Sequence, residues 1–165
     1  MAVAGPGTPA TSELSIPALD GFRLAGSLAI PPPEQALLGT VVIASAAGVP
    51  RRYYKPFASY LARAGLRTLT FDYRGVGGSR PTSLRGFRAA LHEWGERDLA
   101  GAITWAADQR PDLPVLVVTH SVGGQVLGLA PSLDRVRAVL SVASQSGYWG
   151  PVSYTHLTLP TNREV

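Results

Sequence analysis

Ser121 stands where an apolar run meets a glycine-opened segment, in Val115-Leu-Val-Val-Thr-His-Ser-Val-Gly-Gly-Gln125. A strand that turns sharply into a helix at a serine lifts the hydroxyl off the sheet. The same turn aims the first helical N–H groups at the negative charge that develops on a carbonyl oxygen under attack. It demands small residues two places before and two places after the serine. Gly123 meets the demand, whereas Thr119 puts a β-branched side chain where it is expected to crowd the bend. The pattern is therefore T-x-S-x-G. The plainer alternative is a serine that merely caps a helix.

A serine hydroxyl becomes nucleophilic when a base takes its proton and a third group orients that base. The histidines, His92, His120 and His156, are far apart in the chain. His120 holds the variable position of the turn, where its side chain is expected to fold back as a structural group. His92 begins a helix candidate on the same edge as Ser121, a place where exposed histidines are common. Asp134 precedes a strand and so lies about 25 Å from that edge at about 3.3 Å per residue. Gly75-Val-Gly77-Gly78 also follows a strand, but it lacks the G-x-G-x-x-G spacing and the acidic residue about 20 positions later that a dinucleotide loop uses. Asp72 and Ser79 around it read as turn-stabilising groups.

The elements that must carry these residues follow from hydropathy. Glu13 to Pro17 and Phe22 to Ile30 alternate and are joined through Asp20-Gly21, which suits a tight hairpin. Thr40 to Ser45 is a continuous apolar run of the kind buried on both faces. A helix from Tyr54 to Ala64, stopped by Gly65, leads to a strand at Arg67 to Phe71. A long helix from Leu91 to Gln109 presents Trp94, Leu99, Ala102, Ile103 and Ala106 on one face and leads to a strand at Val115 to Thr119. A helix at Gly123 to Ala130 and a strand at Val136 to Ala143 complete the alternation. Such repetition predicts a parallel sheet covered by helices on both faces.

Composition narrows the chemistry. The 165 residues contain no Cys, which removes thiol nucleophiles, disulfides and Cys-based metal sites, and the histidines are too scattered for a metal set. The net charge of +4 is almost all arginine, placed in pairs such as Arg51-Arg52 and not in a run, so a nucleic-acid partner is not expected. No apolar stretch reaches the roughly 18 residues of a membrane span. The first residues lack the basic and apolar regions of a signal peptide, so a cytoplasmic location is expected. Residues 1–12, rich in Gly, Pro, Ala and Thr, read as a flexible leader. Val152 to Val165 follows no strand or helix rhythm and reads as a non-native tail, which places the partial domain at residues 13–151.

Four stretches in order, Val41-Val-Ile-Ala-Ser-Ala-Ala47-Gly48, Phe71-Asp-Tyr-Arg-Gly-Val-Gly-Gly-Ser79, Thr119 to Gln125 and Ser144-Gln-Ser-Gly-Tyr148-Trp149, resemble the α/β-hydrolase superfamily. The likeness is strongest to the branch related to serine aminopeptidases and monoglyceride lipases, and it covers Leu14 to Pro151. It implies an α/β-hydrolase fold with a mostly parallel sheet, an N-terminal antiparallel hairpin and helices on both faces, truncated before the last strands. It also implies Ser121 as nucleophile and the backbone N–H of Val122 as one oxyanion donor. Ala47 would supply the second donor, since the family's His-Gly pair aligns with Ser45-Ala46. No cofactor is implied. In this family the acid and the histidine follow later strands, so the expectation is a serine hydrolase of a small-molecule ester or amide, represented here by an inactive piece with an open sheet edge. Two other readings stay open: a non-catalytic binding module on the same scaffold, and a nucleotide-binding α/β domain. The oligomeric state is left open.

Overall fold

A computed structural model describes residues 7–83 and 85–144. The first two strands, β1 (Ala10–Pro17) and β2 (Arg23–Ile30), form the expected hairpin, with Gly21 at φ 83° in its turn. β1 begins before the point where composition ended the leader, because Ala10, Thr11 and Ser12 pair with Ile30, Ala29 and Leu28. A strand that buries little besides Leu14 and Ile16 tolerates small polar residues on its outer side, so composition alone misplaces its start. Residues 1–6 of the leader, Tyr148 and Trp149, and the whole tail with His156 lie outside the described residues.

β3 (Gly39–Ala44), β4 (Leu66–Phe71), β5 (Val115–His120) and β6 (Val136–Val142) complete one sheet in the order β1-β2-β4-β3-β5-β6. β2 runs antiparallel to β4, and the four strands from β4 to β6 are mutually parallel. Every residue of β3 is buried, as its unbroken apolar run predicts. Helix α1 (Lys55–Arg63) covers one face, where Ala58 and Ala62 meet Val41, Ile43 and Val118. The long helical segment covers the other face with Leu99, Ile103 and Ala106.

That segment is not the uniform helix the periodicity predicts. It opens with α2 (Leu91–Glu93), widens into π-helical turns over Trp94–Leu99 and continues as α3 (Ala100–Gln109). The widened part holds two residues that long-range contacts demand. Gly95 lies where any Cβ would overlap the Val126 carbonyl oxygen, and Asp98 is fully buried beside Arg74.

The sheet's far edge is β6. Among the described residues Val139, Leu140 and Val142 are 46%, 57% and 46% exposed and no further strand pairs with β6, so this strand offers apolar side chains at a sheet edge. Changing Leu140 and Val142 to Lys is expected to lower self-association without altering secondary structure. Light scattering over a concentration series checks it, and unchanged scattering would show that β6 is not the sticky surface.

Candidate active site

The chain bends at Ser121. β5 ends at His120, Ser121 takes φ 53° and ψ −115°, and α4 (Val122–Leu127) starts at the next residue. A non-glycine residue at positive φ is strained by roughly 1–3 kcal/mol, and such strain persists where surrounding structure over-determines it. Two contacts do so here. The Ser121 N–H donates to the Val142 carbonyl (3.0 Å), and Gly123 lets α4 approach β3 so closely that a Cβ there would overlap the Ala44 carbonyl oxygen. Ser121 is half-buried, and its side chain makes no capping hydrogen bond, which sets aside the plain helix-cap reading.

Thr119 does not crowd the bend. It is fully buried between small partners, Ala44 on β3 and Ser141 on β6. Its hydroxyl donates to Ser141 Oγ (3.2 Å) and lies 3.1 Å from Ser144 Oγ. The β-branched side chain thus replaces the usual glycine with a hydrogen-bonded group, and its neighbours supply the space.

The loop after β3 brings a second set of amides to the same edge. Ser45 and Ala46 are buried, Ala47 and Gly48 are exposed, and Gly48 turns the chain with φ 68°. The Ala46 N–H donates to the Tyr54 hydroxyl (2.9 Å), which is also 2.9 Å from His120 Nδ1. No acceptor among the described residues takes the Ala47 N–H. His120 is therefore occupied structurally, as its place in the sequence predicts. The Tyr54 hydroxyl was not legible there, because nothing local distinguishes it from a packing aromatic.

The glycine loop after β4 closes on its own carboxylate. Asp72 is fully buried and accepts from the Arg51 N–H (2.6 Å), the Gly78 N–H (2.8 Å) and the Arg51 guanidinium. Gly77, at φ 48°, leaves no room for a Cβ against that carboxylate. Ser79 donates to the Asp72 carbonyl (2.6 Å) and accepts from the Ala25 N–H (2.8 Å). The glycines wrap Asp72 where a nucleotide loop would wrap phosphate, which accords with the turn-stabilising reading of Asp72 and Ser79.

Arg74, on the same loop, anchors the strand end to the long helical segment. It donates to Asp98 from its backbone N–H (2.8 Å), Nε (2.8 Å) and Nη2 (2.6 Å), and to Asp20 in the hairpin turn from Nη1 (2.9 Å) and Nη2 (3.0 Å). Burial pushes the Arg74 pKa down and the Asp98 carboxyl up. The Asp98 and Asp20 carboxylates outweigh burial at Arg74 and hold its pKa above the ordinary value, so the guanidinium is the fixed charge of the cluster.

Neither remaining candidate is hydrogen-bonded to Ser121 among the described residues. His92 is exposed in the first turn of α2, and Asp134 lies in the 3₁₀ turn that precedes β6, at the opposite end of the parallel strands. Among the described residues no cluster of His, Asp and Glu has the makings of a metal site, and no helix is long and apolar enough to cross a membrane.

The comparisons with known proteins agree with this architecture. No curated protein sequence matches the chain. A carboxyl esterase from Bacillus coagulans is similar in structure (TM-score 0.66, 20% identity, 80% of this chain and 44% of that one). So are a lidless α/β serine hydrolase from Xanthomonas campestris (TM-score 0.65, 21% identity, 84% and 63%) and a dienelactone hydrolase from Anabaena variabilis (TM-score 0.65, 25% identity, 85% and 66%). The chain spans between 44% and 66% of the length of these solved structures. The family model for serine aminopeptidases of the S33 type matches residues 35–144, which take in β3 to β6, the bend at Ser121 and the loop at Ala47. With a six-stranded sheet among the described residues, its N-terminal hairpin and helices on both faces, the chain has the α/β-hydrolase fold and belongs to the S33 serine aminopeptidase family.

Proposed function

We propose that the protein is a serine hydrolase that cleaves a small-molecule carboxylic ester or amide in the cytoplasm, without a cofactor. The observation that carries this reading is the backbone of Ser121, held at φ 53° with its hydroxyl free of any capping bond. In this reading Ser121 Oγ attacks the carbonyl carbon as a base removes its proton. The N–H groups of Val122 and Ala47 receive the oxyanion. The C–O or C–N bond then breaks, the leaving group takes the proton, and water releases the acid from the acyl-enzyme. The reading requires a base, and a group to orient it, supplied from outside residues 7–144, since His120 is bonded to Tyr54 and His92 sits on the solvent side of its helix.

That requirement favours, as the alternative, a binding module that uses the fold without turnover. A fluorophosphonate probe separates the two. Attack by Ser121 Oγ on phosphorus expels fluoride and leaves a stable Ser–O–P adduct. Labelling of the full-length protein that maps to Ser121 is the expected result; an unlabelled, folded protein would reject the hydrolase and leave the binding module.

A further inference from the structure

We infer that Tyr54 is a positioning residue of the oxyanion site, its phenol oxygen tying the loop after β3 to the residue beside the nucleophile and so fixing Ala47 as the amide that faces the substrate. The inference rests on the reading of Ser121 as nucleophile. Tyr54 is the last residue of a 3₁₀ turn, Arg51–Tyr54, and only 8% of it is exposed. Its ring is wedged among Ile43, Ala58 and Val118, edge-on to the His120 ring at 6.0 Å between centroids. A ring so packed holds its hydroxyl at one point in space. That point lies 2.9 Å from both Ala46 N and His120 Nδ1.

A phenol has one proton to give. Its oxygen already accepts from Ala46, so all three groups are satisfied when the phenol donates to His120 Nδ1, with the imidazole neutral and its proton on Nε2; this tautomer is assigned from the bonding pattern. Burial raises the Tyr54 pKa, which keeps that proton in place at neutral pH. The consequence reaches both halves of the site. On the loop side Ala46 is engaged, and the next residue, Ala47, is exposed and its amide is left without a partner among the described residues. On the elbow side His120 immediately precedes Ser121, whose other neighbour, Val122, opens α4. One phenol therefore sets the distance between the two donor amides. The device suits a loop that carries Ala46 where a glycine would otherwise let the backbone choose its own path.

Tyr54→Phe keeps the ring and removes the bond. In full-length protein the rate of fluorophosphonate labelling at Ser121 is expected to fall about tenfold, less than the about 10²–10³ lost when an oxyanion donor is deleted outright. Amide exchange at Ala46 is expected to rise while Val42 and Val117 in the core stay protected. Tyr60→Phe, on the exposed side of α1, is expected to change neither. Should Tyr54→Phe fold poorly, His120→Phe approaches the same chain from its other end and is expected to slow labelling as well. Wild-type labelling with an undiminished rate in Tyr54→Phe or, for a poorly folded Tyr54→Phe, in His120→Phe, or with Ala46 exchange unchanged, would overturn the role of Tyr54 and leave the nucleophile standing. Failure of the wild-type protein to label would remove the nucleophile and this inference together.

Discussion

In the full-length protein a Ser121→Gly variant is expected to be inert and, at the same time, more stable than the Ser121→Ala variant that is equally inert. Both lose the hydroxyl, and removal of the nucleophile from a unit that acts together costs on the order of 10⁶ in turnover. Their stabilities part because of the backbone. Ser121 sits at φ 53° and ψ −115°, where any side chain with a Cβ is strained by roughly 1–3 kcal/mol. Alanine keeps that strain and glycine escapes it, although glycine also gains about 0.4–1 kcal/mol of freedom in the unfolded chain. The balance leaves about 1 kcal/mol in favour of glycine, a rise of about 2–4 °C in melting temperature for a chain of this size. Paired thermal melts measure it. Equal melting points for the two variants would mean that the bend carries no strain, and the strongest physical sign of an active serine would be gone.

Much of this was written locally in the sequence. The alternation of apolar runs with helix-period segments marks each strand of the sheet within a residue or two, apart from the start of β1, because burial on one or two faces leaves a direct imprint on hydropathy. The bend was legible for the same reason: Gly123 has no Cβ because the Ala44 carbonyl occupies the space. What escaped is what depends on residues distant in the chain. Thr119 looked too large for its turn, and only the small partners Ala44 and Ser141, on other strands, make it fit. The Tyr54 hydroxyl meets His120 across 66 positions. The π-helical turns over Trp94–Leu99 obey contacts with Arg74 and α4, and a helical period averages them away.

The heaviest structural loss is expected from Asp98→Ala. Asp98 is fully buried and the Arg74 side chain is 6% exposed, so removing the carboxylate strands a guanidinium that has left water behind. Breaking a buried pair from one side costs about 3–5 kcal/mol, whereas replacing both charges with apolar groups of similar volume is often neutral. Asp20 stays in contact with Arg74 but is itself partly exposed and cannot take over the three bonds that Asp98 accepted. The single variant is therefore expected to melt about 10 °C lower, at about 2–4 °C per kcal/mol, and the double variant Arg74→Met with Asp98→Leu to recover much of that loss. Denaturant midpoints for the wild type and the two variants decide it. If the double variant were as unstable as Asp98→Ala, the cost would lie in lost hydrogen bonds between the glycine loop and the long helical segment and not in the stranded charge, because only the charge is relieved when both partners are removed.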